Sequence, residues 1–267
     1  MIGKIKDLYD DYVDGYRGAD GCLPVMMQLK YEHTAFVVRN AGLIADGESF
    51  DLPQRQAALV AAQLHDVGRY EQLRRYNTFR DSESVDHAVF SHDIVREKGW
   101  LDSSFDAICP GFAEIVLKAV LYHNRRDLPS ELDAPGDDPF LRRLTVAAHT
   151  VRDADKLDIF RVLEDQVAHT DWRHDSRAFW NLSTTGAPNP EVVRAILESR
   201  PVDYQHILTL ADFVLIQVGW MRSGLHFATS RRLCRERGHL EYRRRFLHEI
   251  TDSPEVDRVC DSVVFPE

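Results

Sequence analysis

AAQLHDVGRYEQ, residues 61–72, decides how this chain is read. The apolar run ALVAAQL (58–64) stops abruptly at His65-Asp66, and Val67-Gly68-Arg69 follow. Upstream, Pro53 suits a first helical turn. Ala58, Ala61, Ala62 and His65 then fall on one side of a helix expected over 53–66. A greasy helix face that finishes on an imidazole and a carboxylate needs partners for them, because burying a charge costs several kcal/mol unless it is paired or metal-bound.

Reading outward, helix follows helix. Residues 24–46 repeat apolar positions at helical spacing, with Met26, Leu29, His33, Val37 and Ile44 on one face. Asp86 is a good N-cap for a helix over 86–98. Further helices are expected over 112–123, 139–164, 190–199, 202–222 and 225–249, and no period-2 strand series interrupts them. Gly- and Pro-marked loops fall at 77–84, 127–139 and 181–190. The fold class expected is all-α. Residues 1–267 are read as one domain, with a motif-bearing core at 24–160 and a helical extension at 161–267 packed on it.

The bulk numbers agree with a self-sufficient core: 267 residues, 44% hydrophobic and 28% charged. A net charge of −10 argues against stable nucleic-acid binding, which requires an excess of Lys and Arg to meet phosphate. Four cysteines (Cys22, Cys109, Cys234, Cys260) form no CxxC pair, the first residues are too polar for a signal peptide, and no apolar run reaches the ~18 residues of a membrane span. A cytoplasmic protein with free thiols and no membrane association is the expectation; a homodimer is compatible with it.

On these helices the histidines fall into a series. His33 projects from one apolar face, His65-Asp66 end the next helix, His87 opens another, His123 ends a fourth, and Asp155 shares a stripe with Leu141, Leu144, Ala148 and Val151. Five helices thus each aim an imidazole or carboxylate toward their buried side. Such donors suit divalent manganese, iron, cobalt, nickel or zinc, and facing helices can bring them together.

The order H…HD…H…H…D, written here as YEHTAF (31–36), LHDVGRY (64–70), VDHAVF (85–90), LYHNRRDLP (121–129) and RDADKLD (152–158), resembles the HD-domain superfamily of metal-dependent phosphohydrolases. The resemblance implies a helical bundle of the HD type with extra C-terminal helices. It implies a first metal site of His33, His65, Asp66 and Asp155. Branches with two metals add two histidines, matched here by His87 and His123, with Asp66 bridging; outside those branches the two would bind substrate or metal-bound water. Asp155 is preferred to Asp153 and Asp158 because it precedes the Lys of ADKLD and lies on the apolar stripe. The chain departs from the cyclic-dinucleotide-cleaving branch, since Asn124 follows His123 and no GYP signature follows.

The function this implies is hydrolysis of a small phosphorylated molecule, a nucleotide among the candidates, with one or two divalent ions per chain. Asp66, His87, His123 and Asp158 are the expected catalytic residues, Asp158 as a proton acceptor. Arg69, Arg75, Lys156 and Asn124 are the expected substrate contacts, the alternatives being ion pairing of the Arg residues with Glu71, Asp81 and Glu83, pairing of Lys156 with Asp153, and a helix C-cap role for Asn124; Gly68 is expected to turn the chain so that Arg69 faces the pocket. Two alternatives keep the same residues: a di-iron oxygenase of the myo-inositol-oxygenase type, and a nucleotide-binding domain without catalysis. His92, His149 and His206 are expected to be structural. The seven Arg between 231 and 245 are read as a solvated helix face, with a lid or subunit contact as the alternative.

Overall fold

A computed structural model describes residues 2–174, 179 and 182–265. Among them every regular element is a helix, apart from one isolated bridge between Ser183 and Thr209. The all-α expectation holds. Backbone contacts divide the chain into two compact units, residues 1–155 and 156–267.

The first unit contains α1 (Ile2–Asp14), α2 (Val25–Gly47), α3 (Leu52–Leu64), α4 (Gly68–Tyr76), α5 (His87–Glu97), α6 (Phe112–Tyr122) and the first half of α7 (Pro139–His169). Helix α3 is central and packs against α1, α2 and α6. Its small residues make this possible: Ala57, Ala58, Val60, Ala61, Ala62 and Leu64 are all fully buried, and short side chains let neighbouring helices approach from several sides. Its start is fixed by a capping box, in which Asp51 accepts from the Gln54 amide and Gln54 answers to the Asp51 amide. Asn40 of α2 donates to the Ala154 carbonyl of α7 at 3.2 Å, tying together two helices that carry candidate ligands.

The second unit contains the remainder of α7, then α8 (Pro190–Leu197), α9 (Leu210–Gly219), α10 (Ala228–Glu236), α11 (His239–Ile250) and α12 (Glu255–Asp261). Helix α9 packs against α8, α11 and α12. Two expectations change here. The helix read over 202–222 begins only at Leu210, because Thr209 and Asp212 form a capping box that starts it afresh. The helix read over 225–249 is two helices, broken at Gly238, whose φ of 69° is left-handed. The loop at 181–190 begins on Asn181, outside the described residues. No helix among the described residues is long and apolar enough to cross a membrane.

Candidate metal centre

Four of the chemistry-bearing side chains sit where a helix begins or ends, and two lie within a helix. His65 and Asp66 occupy the tight helical turn that joins α3 to α4, with Arg69 N bonding back to Asp66 O at 2.9 Å. His87 is the first residue of α5, directly after its cap Asp86, whose carboxylate accepts from the Ala88 and Val89 amides. His123 is the C-cap of α6. His33 lies mid-way along α2, and Asp155 on α7.

These five elements bring six side chains together in two groups. In one, ligand atoms of His33, His65 and Asp155 all lie within 4.8 Å of one another; in the other, those of Asp66, His87 and His123 do. Asp66 joins the groups. Its Oδ2 faces His33 Nε2 (3.7 Å) and His65 Nε2 (3.6 Å), while its Oδ1 faces His87 Nε2 (3.6 Å) and His123 Nε2 (3.9 Å). The first group closes with His33 Nε2 at 3.1 Å from Asp155 Oδ1.

Hydrogen bonding at the far ring nitrogens fixes what these imidazoles can do. His65 Nδ1 donates to Ala62 O and His123 Nδ1 to Val120 O, each at 2.7 Å. His87 Nδ1 meets Asp81 Oδ2 at 2.5 Å. A carbonyl or carboxylate oxygen only accepts, so each Nδ1 carries the proton and each Nε2 presents a lone pair. His87 Nε2 and His123 Nε2 then face one another at 3.0 Å as two acceptors. That juxtaposition is repulsive without a cation and favourable around one, which is how nitrogen and carboxylate donors hold a divalent ion of the manganese-to-zinc series. The donor set fits such a metal.

The electrostatics point the same way. Burial holds His87 and His123 down to about 4, and lowers His65, so all three are neutral donors at neutral pH. Burial alone would raise the Asp66 carboxyl, but Lys30, His65, Arg69 and His87 outweigh it and hold it well below the usual carboxylate range. Burial likewise opposes ionisation of Asp155, and His33 beside it prevails and keeps it low.

The HD-domain family model matches residues 31–159, a span that runs from just before His33 to just after Asp155. Residues 31–159 are an HD domain. Neither a curated protein nor a solved structure gives a significant match to the chain.

The HD domain's other predicted residues fare differently. Gly68 does not turn the chain: it is the first residue of α4, with ordinary φ, and its lack of a side chain lets α4 touch α5 at Ser91. Arg69 is held by protein acceptors, with Nε toward Asp66 Oδ1 (3.3 Å) and Nη1 bonded to Gln72 Oε1, Phe79 O and Asp81 Oδ1. Arg75 turns to Glu71 (2.5 Å) and lies over the Phe90 ring. Asn124 donates to the α5 cap Asp86 at 2.9 Å. Asp158 belongs to neither ligand group; Arg161 donates to both of its oxygens, at 2.6 and 3.0 Å. Lys156 is half-buried on α7. The expected substrate roles of Arg69, Arg75 and Asn124 therefore meet side chains already committed to structure, and Asp158 is a carboxylate already paired.

Three residues at the centre escaped the sequence reading. Lys30, one turn before His33, donates to Asp66 Oδ2 at 2.7 Å; the i, i+3 spacing was its only signal. Asp81 holds His87, and is itself held by Gln72 Nε2 (3.1 Å) and Arg69. Arg152 of α7 donates to the carbonyls of Tyr122, Arg125 and Arg126, capping the end of α6 on which His123 sits. Nothing in the sequence pairs residues 81 and 87, or 152 and 122, before the fold is known.

Proposed function

We propose that this chain is a metal-dependent phosphohydrolase acting on a small phosphorylated substrate, a nucleotide among the candidates. HD domains are generally hydrolases that bind divalent metals. The observation that carries the reading is the double face of Asp66, one oxygen toward each histidine pair. His33, His65, Asp155 and Asp66 Oδ2 would hold one ion, and Asp66 Oδ1, His87 and His123 a second. When bound, such ions polarise a phosphoryl oxygen and lower the pKa of water at neutral pH.

The chain's own residues supply the remainder. The six donors are buried or nearly so, which excludes bulk water and strengthens every charge interaction at the site. Lys30 Nζ, bonded to Asp66 Oδ2 at 2.7 Å, places a cation at the edge of the centre where an anionic phosphoryl group would meet it. Asp66, kept ionised by its neighbours, holds negative charge between the two positions.

The test pairs composition with turnover. Elemental analysis of freshly purified chain is expected to find manganese, iron, cobalt, nickel or zinc. Release of phosphate from a panel of nucleotides and phosphomonoesters is expected to require that metal. His65→Ala and Asp66→Ala are each expected to lose bound metal and to lower turnover by more than the roughly 10- to 100-fold that losing a ligand's orienting partner costs; full turnover in either variant overturns the reading. Oxygen uptake by iron-loaded chain with no phosphate released from any ester would transfer the same ligands to an oxygenase.

A further inference from the structure

The two histidines of the second group are placed by different means. His123 takes its tautomer from a bond within its own helical turn, Nδ1 to Val120 O, as His65 does in the first group with Ala62 O. His87 is the first residue of α5 and has no preceding turn to supply a carbonyl. Its Nδ1 is met instead by a carboxylate six residues upstream, Asp81 Oδ2 at 2.5 Å.

That carboxylate is itself anchored. Asp81 Oδ1 accepts from Arg69 Nη1 and from Gln72 Nε2, both at 3.1 Å. Gln72 is fully buried and also donates to Ser84 Oγ and Val85 O, while Arg69 donates to Phe79 O at 2.7 Å. The segment 79–85 is thus closed onto α4, directly after the His65-Asp66 turn, with Asp81 presented to His87. A carboxylate accepts and cannot donate, so it admits only the tautomer with a bare Nε2.

We infer that Asp81 is the positioning residue for the second metal position: through His87 it determines whether Asp66 serves as a bridge or as a ligand to one ion. This inference rests on the two-ion reading given above. The first position has no share in it, because Asp81 bonds to His87, Arg69 and Gln72, none of them a donor of that position. Its removal leaves the first ion bound and weakens the second by about 10- to 100-fold, the usual effect of losing a partner that orients a ligand.

The experiment titrates metal-free full-length chain with Mn²⁺ or Co²⁺ alone, reading stoichiometry by calorimetry and, for Co²⁺, the visible spectrum. Wild type binding two equivalents and Asp81→Asn one, with Asp81→Glu recovering part of the second, is the expected result. Two equivalents at unchanged affinity in Asp81→Asn overturn the role of Asp81 and leave the two-ion reading intact. One equivalent in wild type overturns the two-ion reading and the inference with it. No metal bound by a folded Asp81→Asn chain also overturns it, since Asp81 would then govern both positions rather than the second alone. Nitrogen-15 NMR of the metal-free wild type gives a check that needs no variant: His87 is expected as the Nδ1-protonated tautomer, and an Nε2-protonated ring sinks the inference.

Discussion

At Gly68 the separation of two helices is set by one absent methyl group. A Cβ built there would lie 2.8 Å from Ser91 N, 2.9 Å from Ser91 Oγ and 3.1 Å from the His87 carbonyl. Two of these are backbone atoms that cannot rotate away, and the Gly68 amide already donates to Ser91 Oγ at 2.9 Å. Gly68→Ala is therefore expected to force α5 outward at its first turn, where His87 sits, at about 1–3 kcal/mol of overpacking. Urea unfolding reads the stability, and Co²⁺ titration is expected to show the second equivalent weakened more than the first. Gly42 is the contrast. The nearest atom to its Cβ would be Leu59 Cδ2 at 3.9 Å, so Gly42→Ala in mid-helix should stabilise by roughly 0.5–1 kcal/mol. If the two alanines behave alike, the close approach at Gly68 is not what holds α5 in place.

Among the elements, most of those carrying candidate ligands are also those that the sequence makes plain. Helices α2, α3, α5 and α6 begin and end within about two residues of their periodic apolar stretches, since each buries an aliphatic stripe whose spacing survives in the text. Helix α4 does not: what it buries is Gly68, Tyr70, Glu71 and Gln72, and the buried polar pair is satisfied partly by Arg69, Arg74 and Arg75 of the same helix and partly by distant residues such as Tyr16 and Ser84. The six ligand candidates follow from order and helix position, whereas Lys30, Asp81 and Arg152 matter through contacts that tertiary structure alone creates. Helix α11 teaches the same lesson in the second unit. Arg243 belongs to a run read as a solvated face, and Arg232, Arg235 and Arg245 are indeed exposed. Arg243 is fully buried. It donates to Glu164 Oε1 (2.8 Å), Gln217 Oε1 (2.8 Å) and Phe160 O (2.9 Å), and lies over the Phe160 ring. Arg243→Ala removes the guanidinium donors from Gln217 Oε1 and from Glu164, whose carboxylate keeps the His239 ring as partner, and is expected to cost about 3–5 kcal/mol. Combining Arg243→Met with Glu164→Leu should recover most of that. Denaturant unfolding followed by circular dichroism decides it, and a loss below about 1 kcal/mol would mean the buried cluster contributes little.

For the whole molecule, the buried cluster of His and Asp side chains is a store of acid sensitivity. His87 and His123 are held by burial from an ordinary 6.5 to about 4. Between those values an unfolded chain takes up protons that the folded chain refuses, so the unfolded state binds more protons and stability falls as pH falls. Asp81 extends the loss to lower pH. Burial would raise its carboxyl, but the His87 hydrogen bond and charge, with Arg69 and Gln72, hold it near 2 rather than 3.8; its contribution is complete above 3.8 and disappears toward 2. Both windows have the same sign. Chelated chain is therefore expected to lose a few kcal/mol between pH 6.5 and 4 from the facing imidazoles taken together, with a further loss below 3.8. Bound metal should steepen the upper window, because the ions require the same neutral nitrogens and leave as these protonate. Urea midpoints of metal-free chain at pH 7.5, 6 and 4.5 give the slope, and His87→Gln with His123→Gln is expected to flatten it. An equal slope in that double variant would place the acid sensitivity elsewhere in the molecule and remove the energetic reason for regarding the facing Nε2 atoms as a cation's seat.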